Sequence, residues 1–388
     1  MTAGVSVVGV GMTPMDRRDK TAKDMAMQVA SEALSDAGLS PSELGLVVLG
    51  NALGGRLSGQ ECIRGQAWLR DAGFEGAPVV NVDNSCAGGS TALHVGIMAS
   101  LGGESPVLVL GVEKMWTGDR SATLSGIEDG VVAEERAGLR SRLDCGSGSV
   151  LMGLNATWVR EQIEQRGTTV EEIAATTVKA RRCAGRNPLA QFRDPLTVEE
   201  VLASAPVAGP LTRLMCSSFT DGAAAVVVSR GSHAGSPRVR ASVARSGSGE
   251  LDYHDRLAAT ADEAWKASGL GPSDVDLIEL HDATSAEELY ALESLGFFSP
   301  GAAGRATAAG ETDVGGNEVT VNPSGGLVAR GHPVGATGVV QVVEVVEQLR
   351  GSAGARQVES ARIGVAVNTG GIVGGDTAFA AVHVLEGA

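Results

Sequence analysis

Two residues of this 388-residue chain, Cys86 and His332, have the types and settings to do chemistry together. A thiol becomes a nucleophile when a base takes its proton, and a helix N-terminus favours the thiolate that results. Cys86 precedes the small-residue helix start Ala87-Gly88-Gly89, and His332 precedes Pro333-Val334-Gly335. These settings belong to an internal repeat. Residues 36–49 (DAGLSPSELGLVVL) and 267–280 (ASGLGPSDVDLIEL) share Gly38, Leu39, Pro41, Ser42, Leu46 and Leu49 as Gly269, Leu270, Pro272, Ser273, Leu277 and Leu280. A second echo pairs AGGST (87–91) and VLVLGVEK (107–114) with VGATG (334–338) and IGVAVNTG (363–370). Two matches in one order, each followed by strand-like sequence, read as a duplicated α/β unit. If the halves pack about a pseudo-twofold axis, Cys86 and His332 take nearly equivalent places and their helix N-termini converge.

The elements that must position them follow from hydrophobic patterning. Strand-length runs rich in Val, Ile and Leu occur at Val5–Val10, Leu44–Leu49, Pro78–Val82, Val107–Val112, Ala223–Val228, Val239–Val243, Leu277–Leu280, Glu318–Val321, Ile363–Val367 and Ala378–Val384. Most are nearly continuous, as in strands covered on both faces. Lys20–Ala37 has helical periodicity through Ala26, Val29, Ala30, Ala33, Leu34 and Ala37. Strands alternating with helices predict an α/β fold with mainly parallel pairing. Ala87–Leu101 and Ala336–Leu349 are apolar nearly all round, which predicts two helices buried between two sheets. The first half is longer, so it carries an insertion at about 115–218. The chain then divides into an N-terminal half, 1–235, and a C-terminal half, 236–388. Neither a Ser/Gly linker nor a charge run separates them, so they share an interface.

Composition narrows the function. Against 31 basic residues stand 46 acidic ones, a net charge of −15 without a basic tail, which argues against a nucleic-acid binder. An uncharged apolar run of 18 residues is missing, so no membrane span is expected. The N-terminus does not read as a signal peptide, because no basic region precedes its apolar stretch. Five cysteines without a CxxC pair fit a reduced, cytoplasmic chain. The His and Cys spacing suggests no metal site. The 54 glycines and the 3% of aromatic residues suggest tight backbone packing.

Several segments carry a resemblance to the thiolase superfamily, and within it to the sterol-carrier-protein-X type. Asn81-Val82-Asp83-Asn84-Ser85-Cys86-Ala87-Gly88-Gly89-Ser90 resembles that group's nucleophile motif. His281-Asp282-Ala283, with Glu287-Glu288-Leu289 and Leu292–Gly296 after it, resembles its HDC segment and the following helix. Asn322-Pro323-Ser324-Gly325-Gly326 through Gly331-His332-Pro333-Val334-Gly335-Ala336-Thr337-Gly338 is nearly a full match to the most diagnostic stretch. Asn187–Asp194 and Thr220–Ala225 match segments typical of the subgroup. The matches run from about residue 5 to 385. The resemblance implies two similar halves in a five-layer αβαβα arrangement with a loop-domain insertion. It implies that Cys86 accepts an acyl group from a coenzyme A thioester and that His332 activates it. The backbone N–H groups of Cys86 and Gly370 would form an oxyanion hole, and His281 would help polarise the second thioester carbonyl. It further implies a dimer through the sheet edge near Val107–Val112, coenzyme A as substrate, no prosthetic group, and Ser324 among the cofactor-binding residues. Coenzyme A carries phosphates, and Lys179, Arg181, Arg182, Arg186 and Arg193 form a basic cluster without an acid between them. This cluster reads equally as a phosphate site or as a solvated helix face.

The sequence departs from the resemblance in one respect. Thiolases use a second cysteine as acid/base, either in a segment equivalent to Val367–Gly371, where Asn368 stands, or after the His-Asp pair, where Ala283 stands. Neither side chain exchanges a proton at neutral pH. Acyl transfer to Cys86 therefore looks intact, and three outcomes stay open for C–C chemistry. His281 or His332 does double duty, the acceptor needs no α-proton removal, or the reaction is a retro-aldol cleavage beside a small OB-fold partner. Cys86 counts against the last. A non-catalytic acyl-CoA or lipid-binding subunit is the remaining alternative.

Overall fold

A computed structural model of the chain describes residues 4–17, 19–74 and 76–388. Ten strands carry the architecture: β1 (Val5–Met12), β2 (Leu46–Gly50), β3 (Val79–Val82), β4 (Val107–Glu113), β5 (Gly222–Arg230), β6 (Arg238–Ser246), β7 (Leu277–Glu279), β8 (Thr320–Val321), β9 (Ile363–Val373) and β10 (Asp376–Glu386). Each falls on one of the apolar runs. The helices that matter for the site are α1 (Ala22–Ala37), α2 (Gly88–Gly102), α3 (Val150–Arg166), α4 (Val170–Gly185), α5 (Tyr253–Ser268), α6 (Ser285–Ser294) and α7 (Thr337–Leu349). Helix α1 begins two residues after Lys20 because Thr21 caps it. The Thr21 hydroxyl accepts the Asp24 N–H, and the Asp24 carboxylate accepts the Thr21 N–H.

The strand order is β8-β7-β9-β10-β6-β1-β5-β4-β2-β3. Two five-stranded halves of the same topology meet where β1 pairs with β6 at Ser6 and Arg238. In each half two pairings are parallel (β3·β2 and β2·β4; β8·β7 and β7·β9) and two are antiparallel (β4·β5 and β5·β1; β9·β10 and β10·β6). Mainly parallel pairing was the expectation. The sheets are mixed because β9 runs through a tight turn into β10, and a tight turn joins only antiparallel strands. In the N-terminal half residues 114–221 replace that turn, close to the insertion read from the sequence.

The layers stack as αβαβα. Outside, Met25, Val29 and Ala33 of α1 pack on Val47, Leu108 and Val227 of the first sheet. On the far side, Leu257 and Ala261 of α5 pack on Val365, Val382 and Val384 of the second. Between the sheets, Leu93 and Ile97 of α2 share a core with Val339, Val342 and Val346 of α7, with Val48 and Val109 of one sheet and with Leu277 and Ala366 of the other. Each fully buried valine contributes about 1.5–3 kcal/mol relative to an exposed one. Helix α7 is buried on every side from Thr337 to Val346. Helix α2 is not: Met98 is 59% exposed, and Thr91, His94 and Val95 beside it are only partly buried. The expected dimer edge also moves. β4 lies between β2 and β5, so Val107–Val112 offers no free edge; the open edge of that half is β3, where Val80 is 39% exposed.

Helices α2 and α7 cross where both lack a side chain. A Cβ on Gly89 would sit 2.9 Å from the Val339 nitrogen, and one on Gly338 would sit 2.4 Å from the Ser90 nitrogen. Gly338→Ala should therefore lower stability by about 1–3 kcal/mol in urea denaturation. Gly138, inside the helix Ala133–Arg142, has open space around its Cβ position. Gly138→Ala should raise stability by about 0.5–1 kcal/mol. Equal effects at the two sites would contradict the close crossing.

Candidate active site

Cys86 sits at the turn that starts α2. Ser85 before it is held in the left-handed region at φ 51°, and the carbonyls of Asn84 and Ser85 accept the N–H groups of Ala87 and Gly88, each at 3.0 Å. The helix N-terminus thus faces the thiol. β9 passes against this turn so closely that a Cβ on Gly370 would lie 2.3 Å from the Asn84 oxygen and 2.5 Å from the Ala87 nitrogen. Only glycine fits there, and Gly370 shares the wall of the cavity with Cys86.

His332 arrives from the other half, just before α7. Its Nδ1 is 2.8 Å from the Thr337 hydroxyl, which itself donates to the Pro333 carbonyl at 3.2 Å. The hydroxyl therefore accepts from Nδ1–H, and Nε2 keeps its lone pair. Burial, followed by the charges on His281 and Arg330, holds the His332 pKa well below the usual imidazole value. His332 is a neutral base.

His281 follows β7. Its Nδ1 is 2.8 Å from Glu287 Oε1 at the first turns of α6. Burial alone would lower its pKa, but Glu287 and the adjacent Cys86 sulfur more than offset this and push it up to about 10. His281 is an imidazolium at neutral pH. Its Nε2 meets no nitrogen or oxygen of the protein and lies beside Cys86. An imidazolium N–H beside the reacting sulfur is placed to donate to an oxyanion that forms there. The two rings are 5.2 Å apart, edge to face. Ligand atoms of Cys86, His281 and His332 all lie within 4.8 Å of one another. No sequence spacing could reveal that cluster, although its donors are of zinc type. A zinc ion among them would take the place of the His281 Nε2 proton, while Glu287 kept the proton on Nδ1.

Buried Glu113, at the end of β4, clamps the halves together. It accepts the N–H groups of Ala52 (3.0 Å), Leu53 (3.1 Å) and Gly335 (2.9 Å) and the Asn51 amide (2.8 Å), while burial pushes its carboxyl pKa up to about 7. The subgroup segments serve the same framework. Gln191 accepts the Thr220 hydroxyl at 2.6 Å, and Thr220 in turn accepts the His332 N–H at 3.2 Å. Asp221 accepts the N–H groups of Met115 and Trp116, both at 2.8 Å, where the insertion leaves β4.

The cavity over this cluster has a volume of about 890 Å³. Leu53, Met115, Leu151, Met152 and Trp158 give it apolar walls. Cys86, His281, His332 and Gly370 all reach it, as does Ala283. The basic cluster does not converge there. Arg181 does line the cavity, its guanidinium 4.7 Å above the Phe192 ring. Lys179 is fully buried in an ion pair with Glu288, Arg182 pairs with Asp313, Arg186 borders a separate groove beside Pro272, and Arg193 lies on the surface outside the cavity wall. Among the described residues, the exposed cations that line the cavity are Arg17, Arg120 and Arg213 instead. Ser324 is also misplaced as a cofactor contact. It is fully buried, donates to Glu279 Oε2 at 2.7 Å and accepts from Arg330 at 2.9 Å, in a network that shapes the His332 loop. Asn368 points to Gln341 of α7, donating at 2.9 Å, and does not border the cavity. Cys216 borders it, but burial pushes its thiol pKa up to about 12. Sequence reasoning assigned no role to Tyr253, Glu287, Thr337 or Thr369. The one available signal was the acid six residues after His281.

The thiolase N-terminal domain family matches residues 5–232, and the thiolase C-terminal domain-like family matches residues 248–386. An acetyl-CoA acetyltransferase of Methanothermobacter thermautotrophicus is 38% identical over 98% of this chain and 99% of its own length. Sterol carrier protein 2 of Rattus norvegicus is 34% identical over 94% of this chain and 70% of its own. The benzoylsuccinyl-CoA thiolase subunit BbsB of Thauera aromatica is 32% identical over 95% and 94%. Among solved structures, the Ltp2-ChsH2(DUF35) aldolase aligns with a TM-score of 0.80 over 99% of this chain and 98% of that one, at 21% identity.

If Glu287 holds His281 cationic, Glu287→Gln removes the main charge that offsets burial, leaves only the Cys86 sulfur against it, and the ring turns neutral at pH 7. Loss of that cation should slow iodoacetamide alkylation of Cys86 at pH 7.5 by about tenfold or more. In the unaltered protein the cation persists until the pH passes about 10. An unchanged alkylation rate would contradict the pairing.

Proposed function

The chain belongs to the thiolase family, and from that premise we propose that it transfers acyl groups from coenzyme A thioesters through a thioester on Cys86. One observation carries the reading: a thiol at a helix N-terminus and two imidazoles, their donor atoms within 4.8 Å of one another, one ring bonded to a carboxylate and the other to a hydroxyl. His332 Nε2 takes the Cys86 proton as sulfur attacks the thioester carbonyl carbon. The oxyanion is stabilised by the backbone N–H groups of Cys86 and Gly370. As the tetrahedral adduct collapses, coenzyme A leaves with the proton from His332. His281 donates its Nε2–H to the carbonyl of the acceptor thioester. Arg17, Arg120 and Arg213 in the cavity lining suit the phosphates of coenzyme A, and the apolar walls suit an acyl chain.

The alternatives are a retro-aldol lyase working with an OB-fold partner and a non-catalytic acyl-CoA carrier. Neither needs an activated thiol between two imidazoles, so the geometry favours acyl transfer. The word "subunit" in the name of the Thauera relative supports a partner protein for that relative, and we extend this to a small OB-fold partner here only as an addition to acyl transfer. The exposed strip of α2 with the open edge of β3 suits a homodimer. Five unpaired cysteines suit the reducing cytoplasm. Among the described residues, no helix is long and apolar enough to cross a membrane.

Intact-mass measurement after mixing with a panel of acyl-CoAs tests the reading. We expect an adduct with the mass of the acyl group, absent in Cys86→Ala and formed about 10²–10⁴ times more slowly in His332→Ala. An adduct that survives Cys86→Ala, or none with any thioester, would overturn acyl transfer. In the same assay, Arg17, Arg120 and Arg213 changed together to Gln should weaken reaction with CoA esters but not with pantetheine esters. Equal weakening would reject phosphate contact.

A further inference from the structure

Making or breaking a C–C bond beside a thioester requires a group that moves a proton at the α-carbon. The two positions where the resemblance places that group hold Ala283, on the cavity wall, and Asn368, outside it. Next to the vacated place the same wall carries a phenol. Tyr253 opens α5, and its hydroxyl donates to Glu287 Oε1 at 2.7 Å and lies 3.1 Å from the Thr369 hydroxyl. The Oε1 atom that takes the phenol proton also takes Nδ1–H of His281 at 2.8 Å, while Oε2 accepts the Ala283 N–H at 3.0 Å. One carboxylate thus joins the phenol, the imidazolium and the backbone where the missing thiol would stand. The ring of Tyr253 is fixed by Trp158, with centroids 4.7 Å apart, and by Tyr290 at 5.6 Å.

We propose that Tyr253 is the acid/base of the C–C step, with Glu287 Oε1 and His281 as its proton relay. This rests on the acyl-Cys86 reading. In the cleavage direction, the Cys86 sulfur attacks the β-carbonyl of a 3-oxoacyl thioester and its proton passes to His332. When the adduct collapses, the C–C electron pair moves to the α-carbon, which takes the proton of the Tyr253 hydroxyl. The phenolate recovers a proton from His281 through Glu287, leaving His281 neutral and an acyl group on Cys86. Incoming coenzyme A gives its thiol proton to His281 and attacks the acyl carbon, and Cys86 leaves with the proton held by His332. Every group returns to its starting state. Condensation runs the same steps in reverse, with Tyr253 removing the α-proton.

Exchange of the acetyl-CoA α-protons in D₂O, followed by mass spectrometry, isolates this step, and the Cys86 adduct measured in parallel isolates acylation. We expect the unaltered protein to show both. Tyr253→Phe should lower the ratio of exchange to acylation by about 100-fold or more. Tyr290→Phe, which alters a phenol outside the cavity wall, should leave that ratio within about threefold of the unaltered value. A hydroxyl that only braced Glu287 could lower the ratio through His281, but a thiol placed at 283 would then not restore it. Adding Ala283→Cys to Tyr253→Phe restores a thiol at the vacant place and should recover exchange. An unchanged ratio in Tyr253→Phe, or acylation without exchange in the unaltered protein, would overturn the role of Tyr253 and leave acyl transfer standing. Absence of any adduct would overturn acyl transfer itself, and the relay with it.

Discussion

The close crossing of α2 and α7 is the contact on which the site depends. Gly89 and Gly338 let the two middle-layer helices approach backbone to backbone. Their N-termini carry Cys86 from one half and His332 from the other, so any looser packing would part the thiol from the imidazole. Glu113 fastens the same junction from the side, bonding Ala52 and Leu53 of the N-terminal half and Gly335 of the C-terminal half. The duplication thus supplies two similar scaffolds whose middle-layer helix N-termini meet at their shared axis.

Burial then divides the labour between the imidazoles. Two cations 5.2 Å apart in a site screened from water repel strongly, so at rest only one ring holds a charge. Glu287 decides which. His281 has the carboxylate and stays protonated, while His332 has a neutral hydroxyl and the neighbouring positive charge, and stays neutral. A donor and an acceptor at neutral pH arise from one residue type through a single difference in partner.

Much of this was legible in the sequence. The ten apolar runs correspond to the ten strands of the large sheet, and the repeat at Gly38–Leu49 and Gly269–Leu280 located equivalent elements in both halves. Cys86 and His332 could be paired because each opens a small-residue helix. What escaped depended on facing and partners. The basic cluster looked coherent along the chain, yet α4 turns Lys179 into the core and Arg182 outward, and an ion pair engages each. Ser324 lies in the most diagnostic motif, but that motif builds the His332 loop through Glu279 and Arg330, not a ligand contact. Tyr253, Glu287 and Thr369 come from three separate elements, and no linear spacing unites them. Helix α2 read as buried all round, although an apolar helix with one face exposed has the same composition.

The central claim is that the Cys86 thiol lies between one charged and one neutral imidazole. With only six histidines in the chain, ¹⁵N-histidine NMR at pH 7.5 reads the state of each ring directly, with signals assigned by His281→Asn and His332→Asn. The account predicts an imidazolium at His281 and a neutral ring protonated on Nδ1 at His332. Two neutral rings, or the charge on His332, would contradict it.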